Sequence, residues 1–362
     1  MTGSLLGRYF ARTFARALLL VFGGIVILVF LLDFMELLRR AGEVKSASAG
    51  TMALLAALRV PAITEQVLPF VILFGAMIAF MVHTRRLEVV VARAAGLSVW
   101  QFLVPALLVA LGTGAVATAA YNPLAAACKL RADRMEAGIF GSALAQPENG
   151  VWLRQRSVDG AAILRGDRLE DDRVTLANVS AFMFGPDGTF VERVNARSAT
   201  LQPGVWRFLD ARIVSPDLDV EPRHDDTYLL ATNLKPTQLT EATLAPRDVS
   251  FWELPAVERR TLEAGLDATE FRLRFQVLLA QPVALAAEVL VAAVFSLRLF
   301  RFGGVAVMAA GGIAAGFLLY VVTKMSSDLG GAGILNAGVA AWSPALVAGM
   351  LATFVLLHQE DG

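Results

Sequence analysis

The spacing of long apolar stretches constrains this chain more than any other feature. A helix that crosses a bilayer needs about 20 mostly apolar residues, because the hydrocarbon layer is roughly 30 Å thick and each residue rises 1.5 Å. Stretches of that kind fall at about 14–38, 60–82, 98–121, 273–297, 303–324 and 336–358. Between the third and fourth lies a region, about 130–270, too rich in charge to enter hydrocarbon. The plan is therefore three spans, a domain, and three spans. A content of 56% hydrophobic residues and a positive mean hydropathy agree with it. The first span has the outline of a secretory signal: Arg8, Arg12 and Arg16 precede Ala17–Leu32, and small residues follow in "SASAG". The run is long for such a signal, and Arg39 and Arg40 separate it from the small residues, so a retained helix is expected.

Lysine and arginine in short loops set orientation. With the N-terminus inside, Arg8, Arg12, Arg16, Arg85, Arg86, Arg93, Arg298 and Arg301 lie on the cytoplasmic side, against Arg39, Arg40, Lys45, Arg59 and Lys324 outside. That excess places both termini in the cytoplasm and the large domain outside. The domain reads as β. "VWLRQ", "AAILRG", "VTLANVSAFMF", "TFVERVNARSATL" and "VWRFLDARIV" alternate or cluster apolar residues over strand lengths, and "GPDG" at 185–188 and "QPG" at 202–204 supply turns. Short strands at regular spacing suggest a sandwich or jelly roll. Residues 246–265 read as a short helical return, capped by Asp248 or Ser250 and ended by Gly265. The fold class expected is a membrane α-helical chain of six transmembrane helices with an inserted periplasmic all-β jelly-roll-like domain. The segments are 1–128 with spans one to three, 129–270 with the β domain, and 271–362 with spans four to six.

Several chemistries are excluded or disfavoured. The formal net charge is zero, which gives no nucleic-acid footprint. Cys128 is the single cysteine, so neither an intrachain disulfide nor a cysteine metal cluster can form. His83, His224 and His358 are far apart in sequence, and no metal site is expected. No Gly-Lys pair occurs, which removes the phosphate-cradling loop of a P-loop ATPase, and G-x-S-x-G and H-E-x-x-H are absent. The chain reads as non-catalytic.

The stretch "HTRRLEVVVARAAGLS", 83–98, interrupts this apolar chain with charge. Wound as one helix over 84–97, Leu87, Val91 and Ala94 share a face with Val90 at its edge, Arg86, Val89 and Arg93 fall opposite, and Glu88 lies between. Gly96 then permits a turn. Two readings are open: a positive-inside loop whose arginines meet headgroups, or a cytoplasmic docking element for another protein. A topology signal has no use for Glu88, which favours docking.

"RRLEVVVARAAGLSVWQ" resembles the R-x-E-x-x-x-x-x-A-x-G-x-S stretch of the LptF/LptG permeases. "GRYFARTF", "FMELLRRAG", "LPFVILFGAMIAF", "QPVAL" and "AAWSPAL" resemble the family in the same order, over essentially the whole chain. "DFMELLRRAG" and "AAWSPAL" look more like the LptG branch than the LptF branch. The resemblance implies a permease subunit of an ABC transporter that extracts lipopolysaccharide from the inner membrane and passes it to a periplasmic jelly-roll bridge. The implied partners are an LptB-type ATPase dimer, an LptF-type paralogous permease, an LptC-type bitopic jelly-roll protein and lipopolysaccharide itself. No cofactor is implied in this chain; ATP and Mg would be bound by the partner ATPase. Arg85, Arg86, Glu88 and Arg93 would contact that ATPase.

Other charged residues keep two readings each. Arg39 and Arg40 end the first span; they are snorkelling anchors or, as the family's basic residues here imply, contacts for lipopolysaccharide phosphates, since arginine offers paired donors to phosphate oxygens. Some family members carry a further basic residue about two turns earlier, where this chain has Asp33. Asp33 is expected to pair with Lys324 of span five, within the chain or across the LptF interface. Lys129, Arg131 and Arg134 are a solvated helix end or a second set of phosphate contacts. Glu65 is read as a solvated interfacial residue, and Glu288 as a deeper one that faces a cavity, meets a partner subunit or stays protonated. The interior of the β domain is either a filled core or an open roll that takes acyl chains. Outside the family, a receptor or scaffold with an external β domain is the alternative.

Overall fold

The computed structural model describes residues 5–42, 48–96, 98–140, 151–157, 160–168, 175–185, 189–216, 222–232, 245–263, 266–297 and 305–361. Lys45, Leu97, Gly265, Arg298, Arg301 and residues 186–188 of the expected first turn lie outside them. Two compact units result. One comprises 1–132, 250–252 and 273–362, and the other 133–249 and 253–272. Three residues, Ser250–Trp252, thus belong to the first unit while the chain on either side belongs to the second.

The first unit is helical. Its described helices are α1 (Leu5–Ala41), α2 (Ala49–Gln66), α3 (Leu68–Arg85), α4 (Glu88–Ala94), α5 (Val99–Val116), α6 (Asn122–Phe140, shared with the second unit), and later α8 (Thr269–Leu297), α9 (Val305–Gly331) and α10 (Ala337–Asp361). Six helical stretches, Leu6–Ala41, Leu68–Arg85, Val99–Phe140, Thr269–Leu297, Ala309–Gly331 and Ala337–His358, are long and apolar enough to cross a membrane. The second span is shorter at its start than expected. Residues 60–66 belong to α2, whose N-terminus is capped by the Ser48 hydroxyl accepting from Thr51 N–H at 3.1 Å. Pro69, in the first turn of α3, has no N–H to continue the α2 ladder, so the helix breaks at Val67. Between α5 and α6 the chain takes a π turn, Ala117–Tyr121, without leaving the helical path.

Close crossings hold these helices together. Phe14 and Leu18 of α1, Val71–Leu73, Ala76 and Met77 of α3, Leu103, Ala106 and Ala110 of α5, and Leu285, Val289 and Ala292 of α8 form one buried cluster. Lipid tails are as apolar as leucine, so helices associate here by packing rather than by escape from water, and small residues let backbones approach. A Cβ added to Gly75 would lie 3.1 Å from the Leu18 Cα, and one added to Gly114 would collide with the Pro282 backbone.

The second unit carries a six-stranded antiparallel sheet in the order β1–β6: Val151–Ser157, Gly160–Arg168, Thr175–Phe184, Phe190–Gln202, Val205–Val214 and Arg223–Ala231. The five expected strands are present, and β6, from "RHDDTYLLA", is an addition: its inward residues are too few to alternate clearly. Each described strand pairs with its chain neighbour, so these strands build a meander and not the two-sheet crossovers of a full jelly roll. One face is buried, through Leu164, Leu176, Val194, Leu201, Trp206 and Phe208. The sheet curls until its ends nearly meet. Gln155 of β1 accepts from the Trp206 indole N–H at 3.3 Å and from the Thr232 hydroxyl at 2.7 Å, and donates to the Ala231 carbonyl at 3.4 Å. A buried side chain, not a backbone ladder, therefore bridges β1 to β6. The 246–265 segment forms a 3-10 turn, Pro246–Asp248, and then α7, Leu254–Glu263; the helix begins too late for Asp248 or Ser250 to cap it.

Candidate functional site

The charged 83–98 stretch is broken into two elements where a single helix is expected from sequence, while Leu87, Val91 and Ala94 still share one side and Val89 lies on the other. α3 ends at Arg85, Arg86 and Leu87 turn, and α4 starts at Glu88. Leu87 takes φ 58°, a left-handed conformation that costs a non-glycine residue about 1–2 kcal/mol. The compensation comes from Glu88. One oxygen accepts from the Tyr9 hydroxyl at 2.9 Å and the other from His83 Nδ1 at 2.6 Å, while Arg86 donates to the Tyr9 oxygen at 3.1 Å. A carboxylate only accepts, so Nδ1 is the protonated nitrogen. Hydrogen bonds to a charged group contribute about 1.5–3 kcal/mol each, enough to outweigh the strain at Leu87.

Val89 and Ala92, opposite Leu87 and Val91, form the inward face of α4. They are buried with Phe10 and Phe102. Leu87 and Val91 are 53% and 67% exposed, and Ala94 is exposed beside them. A firmly seated helix thus shows an apolar face with nothing on it from the described residues of this chain. Arg85 and Arg86 are exposed at its entry, and Arg93 lies on α4, with its side chain outside the described set. Gly96 takes φ 82° and turns the chain toward α5, as expected.

At the other end of α1, Arg39 and Arg40 both grip Glu36. Arg39 donates to both of its oxygens at 2.8 and 2.9 Å, and Arg40 donates to one at 2.9 Å. All three are well exposed, where water and salt screen such pairs, so an incoming anion competes easily with Glu36. Within the chain, the Asp33–Lys324 pair does not form. Asp33 lies 3.5 Å from Arg59 of α2, and Lys324 bonds Asp328, one turn along its own helix, at 2.6 Å. α1 packs on α2 and brings Arg59 to Asp33, whereas Lys324 reaches its local acid at no entropic cost of long-range ordering. Lys129, Arg131 and Arg134 all lie on α6; the last two are exposed and Lys129 is half-buried.

Glu65 is not solvated. It is buried on α2 and accepts from Arg274 at 2.7 Å and from Asn122 at 3.0 Å. Asn122 in turn accepts from the Phe251 backbone N–H at 2.8 Å, and the Trp252 indole donates to the Ala119 carbonyl, in the π turn, at 3.0 Å. This cluster is what draws Ser250–Trp252 into the helical unit. Glu288 is buried on α8, and one of its carboxyl oxygens has no hydrogen-bond partner among the described residues. No three His, Cys, Asp or Glu side chains among the described residues are grouped to hold a metal.

Asn122 and Arg274 carry no signal in the sequence, Arg59 enters it only as an outer-loop charge, and Tyr9, Phe10 and Glu36 only within stretches of family likeness; apart from Glu36, whose arginines are three and four residues away, each acts through a neighbour distant in sequence.

Comparison with known proteins covers almost all of the chain. Residues 8–358 match the family described as "Lipopolysaccharide export system permease LptF/LptG". The chain is similar to the lipopolysaccharide export system permease protein LptG of Escherichia coli strain K12, 24% identical over 337 residues that span 90% of each chain. It is similar also to the LptG protein of Haemophilus influenzae, 24% identical over 332 residues, 88% of this chain and 89% of that one.

Proposed function

The chain belongs to the LptF/LptG family of lipopolysaccharide export permeases, a multi-pass inner-membrane protein, and from that premise we propose that it is the LptG-type subunit of an ABC transporter. In this role it extracts lipopolysaccharide from the inner membrane and passes it to a periplasmic β-jelly-roll bridge. Its termini and α4 are cytoplasmic, and its sheet is periplasmic. The chain itself does no chemistry; an LptB-type ATPase dimer binds ATP and Mg and supplies the energy. An LptF-type paralogue completes the cavity, and an LptC-type protein continues the path.

The observation that carries this reading is the exposed Leu87–Val91 face of α4, presented by a helix whose opposite side is buried and whose turn is clamped. An apolar face at a loop between spans, flanked by Arg85, Arg86 and Arg93, suits a groove on another protein. Glu88 belongs to the same segment with its carboxylate turned inward. The paralogue is supported by α1 and α9, which expose Leu20, Ile27 and Met35, and Phe317, Leu318 and Met325. Arg39, Arg40 and, further along, Lys129, Arg131 and Arg134 are the proposed contacts for lipid phosphates or sugar acids.

Co-purification in mild detergent tests the reading. The wild-type chain should bring an ABC-type ATPase and a second six-span subunit, and Leu87→Asp with Val91→Asp should lose the ATPase while retaining the second subunit. Absence of both partners from a well-folded wild type overturns it. Complementation of strains depleted of one paralogue or the other separates the LptG-type from the LptF-type role.

A further inference from the structure

α4 is only seven residues long, and turns flank it on both sides, so its pose is set by side chains rather than by helix continuity. Those side chains come largely from α1. The Tyr9 hydroxyl links Arg86 to Glu88, and its ring meets the His83 ring edge-on at 5.7 Å. Phe10 stands 4.4 Å from the His83 ring and 5.3 Å from the Phe102 ring, and it is buried with Val89 and Ala92. His83 is itself buried and donates to Glu88. α3, α4 and α5 therefore converge on one turn of α1. α1 is one continuous helix of 37 residues, and the Glu36, Arg39 and Arg40 cluster lies near its other end. A displacement of α4 away from α1 must break the Tyr9–Glu88 bond and uncover the Phe10 ring together, and a displacement away from α3 must break the His83–Glu88 bond. Movement of the three as a body leaves those contacts intact, and is the cheaper path.

We propose that Tyr9, Phe10 and His83 are positioning residues that lock α4 to α1, so that a push on α4 is delivered to the basic end of α1, with Glu88 serving the lock from inside. This rests on the transporter reading above: the push comes from the ATPase, and the lipid phosphates meet Arg39 and Arg40. It assigns the interior of the charged stretch to transmission, and its exposed face to docking.

The test compares wild type with Tyr9→Phe plus His83→Leu, in the complete complex reconstituted into proteoliposomes containing lipopolysaccharide. Tyr9→Phe keeps the ring and removes only the hydroxyl; His83→Leu removes the donor. The ATPase should stay bound and hydrolyse ATP within about twofold of wild type, while lipid released per ATP falls by about tenfold, the loss expected when hydrogen bonds to a charged group are removed. His83→Gln, whose amide can donate to Glu88, should restore most of the yield in an otherwise wild-type chain. Unchanged lipid per ATP in the double variant overturns the proposal, as does dissociation of the ATPase, which would make these residues part of the docking surface alone. Amide hydrogen exchange of Val91 and Ala95, which bond back to Leu87 and Val91, reads the lock without any partner. If wild-type complexes release no lipid, the transporter reading fails and exchange alone decides. Exchange at least about tenfold faster in the double variant supports the lock, and equal protection overturns it.

Discussion

Asn122 donates to Glu65, 57 positions earlier, at 3.0 Å in a buried site, and with its other amide atom accepts from the Phe251 backbone N–H. One side chain thus joins α2 and α6 to the short strap that returns from the β unit. Arg274 of α8 neutralises Glu65 from the remaining side, and the Phe251 ring stacks on Phe275 at 5.2 Å. Removing one partner of a buried ion pair costs far more than removing both, because the survivor keeps its charge without compensation. Arg274→Met alone should destabilise the protein in detergent by about 3–5 kcal/mol, and the Glu65→Leu/Arg274→Met pair should recover much of that loss. Thermal unfolding of the purified chain checks both. Equal losses in the single and double variants would show that the pair is not coupled.

Glu36 competes for the same guanidinium donors that a lipid phosphate would use. Glu36→Gln should leave the thermal unfolding midpoint essentially unchanged, because the ion pairs are exposed and screened by water. Under the proposed function it should raise retention of lipopolysaccharide by roughly two- to fivefold at low salt, with the difference shrinking as ionic strength rises. Co-purified lipid quantified at two salt concentrations is the measurement; no change at low salt would remove Glu36 from the argument.

The acid in α1 has a different partner from the one its position suggested. A double-mutant cycle on Asp33→Asn and Arg59→Met should show coupling of about 0.5–3 kcal/mol, since the two are close and poorly exposed. The cycle on Asp33→Asn and Lys324→Ala in the isolated chain should be additive within about 0.5 kcal/mol. Coupling that appears for the second pair only when the paralogous subunit is present would locate that contact between subunits.

Gln155 closes the curled sheet by bonding to three groups on or beside β5 and β6. Gln155→Leu keeps the volume and leaves the Trp206 N–H and Thr232 hydroxyl buried without this acceptor, so a loss of about 1–3 kcal/mol is expected. The β unit should open first, seen as faster amide exchange of β1 and a red shift of tryptophan emission, while the helical unit keeps its protection.

The residues that carry the family likeness turn out to be largely structural in their contacts. Pro282 of "QPVAL" is the surface that Gly114 must meet without a side chain, and Gln281 accepts from Thr118 at 3.1 Å. Trp342 of "AAWSPAL" donates to Gln276 at 3.2 Å. The likeness therefore identifies how the helices cross more directly than it identifies where lipid or ATPase binds.

Hydrophobicity by itself determined the six spans, the inserted β unit and five of its strands, because burial in lipid and alternation across a sheet both act residue by residue along the chain. It also marked 83–98 as unusual, since charge between apolar spans is visible without any fold. Tertiary structure decided the rest. The break at Leu87 and the burial of the Val89 side of α4 are fixed by Tyr9 and His83 acting on Glu88, contacts no local propensity encodes. Asp33 finds Arg59 because α2 packs beside α1, and Glu65 finds Arg274 because α8 passes the end of α2. The partner of a charged side chain is set by which helices cross and at what depth, and those crossings depend on glycines, bulges and caps acting together across the whole unit.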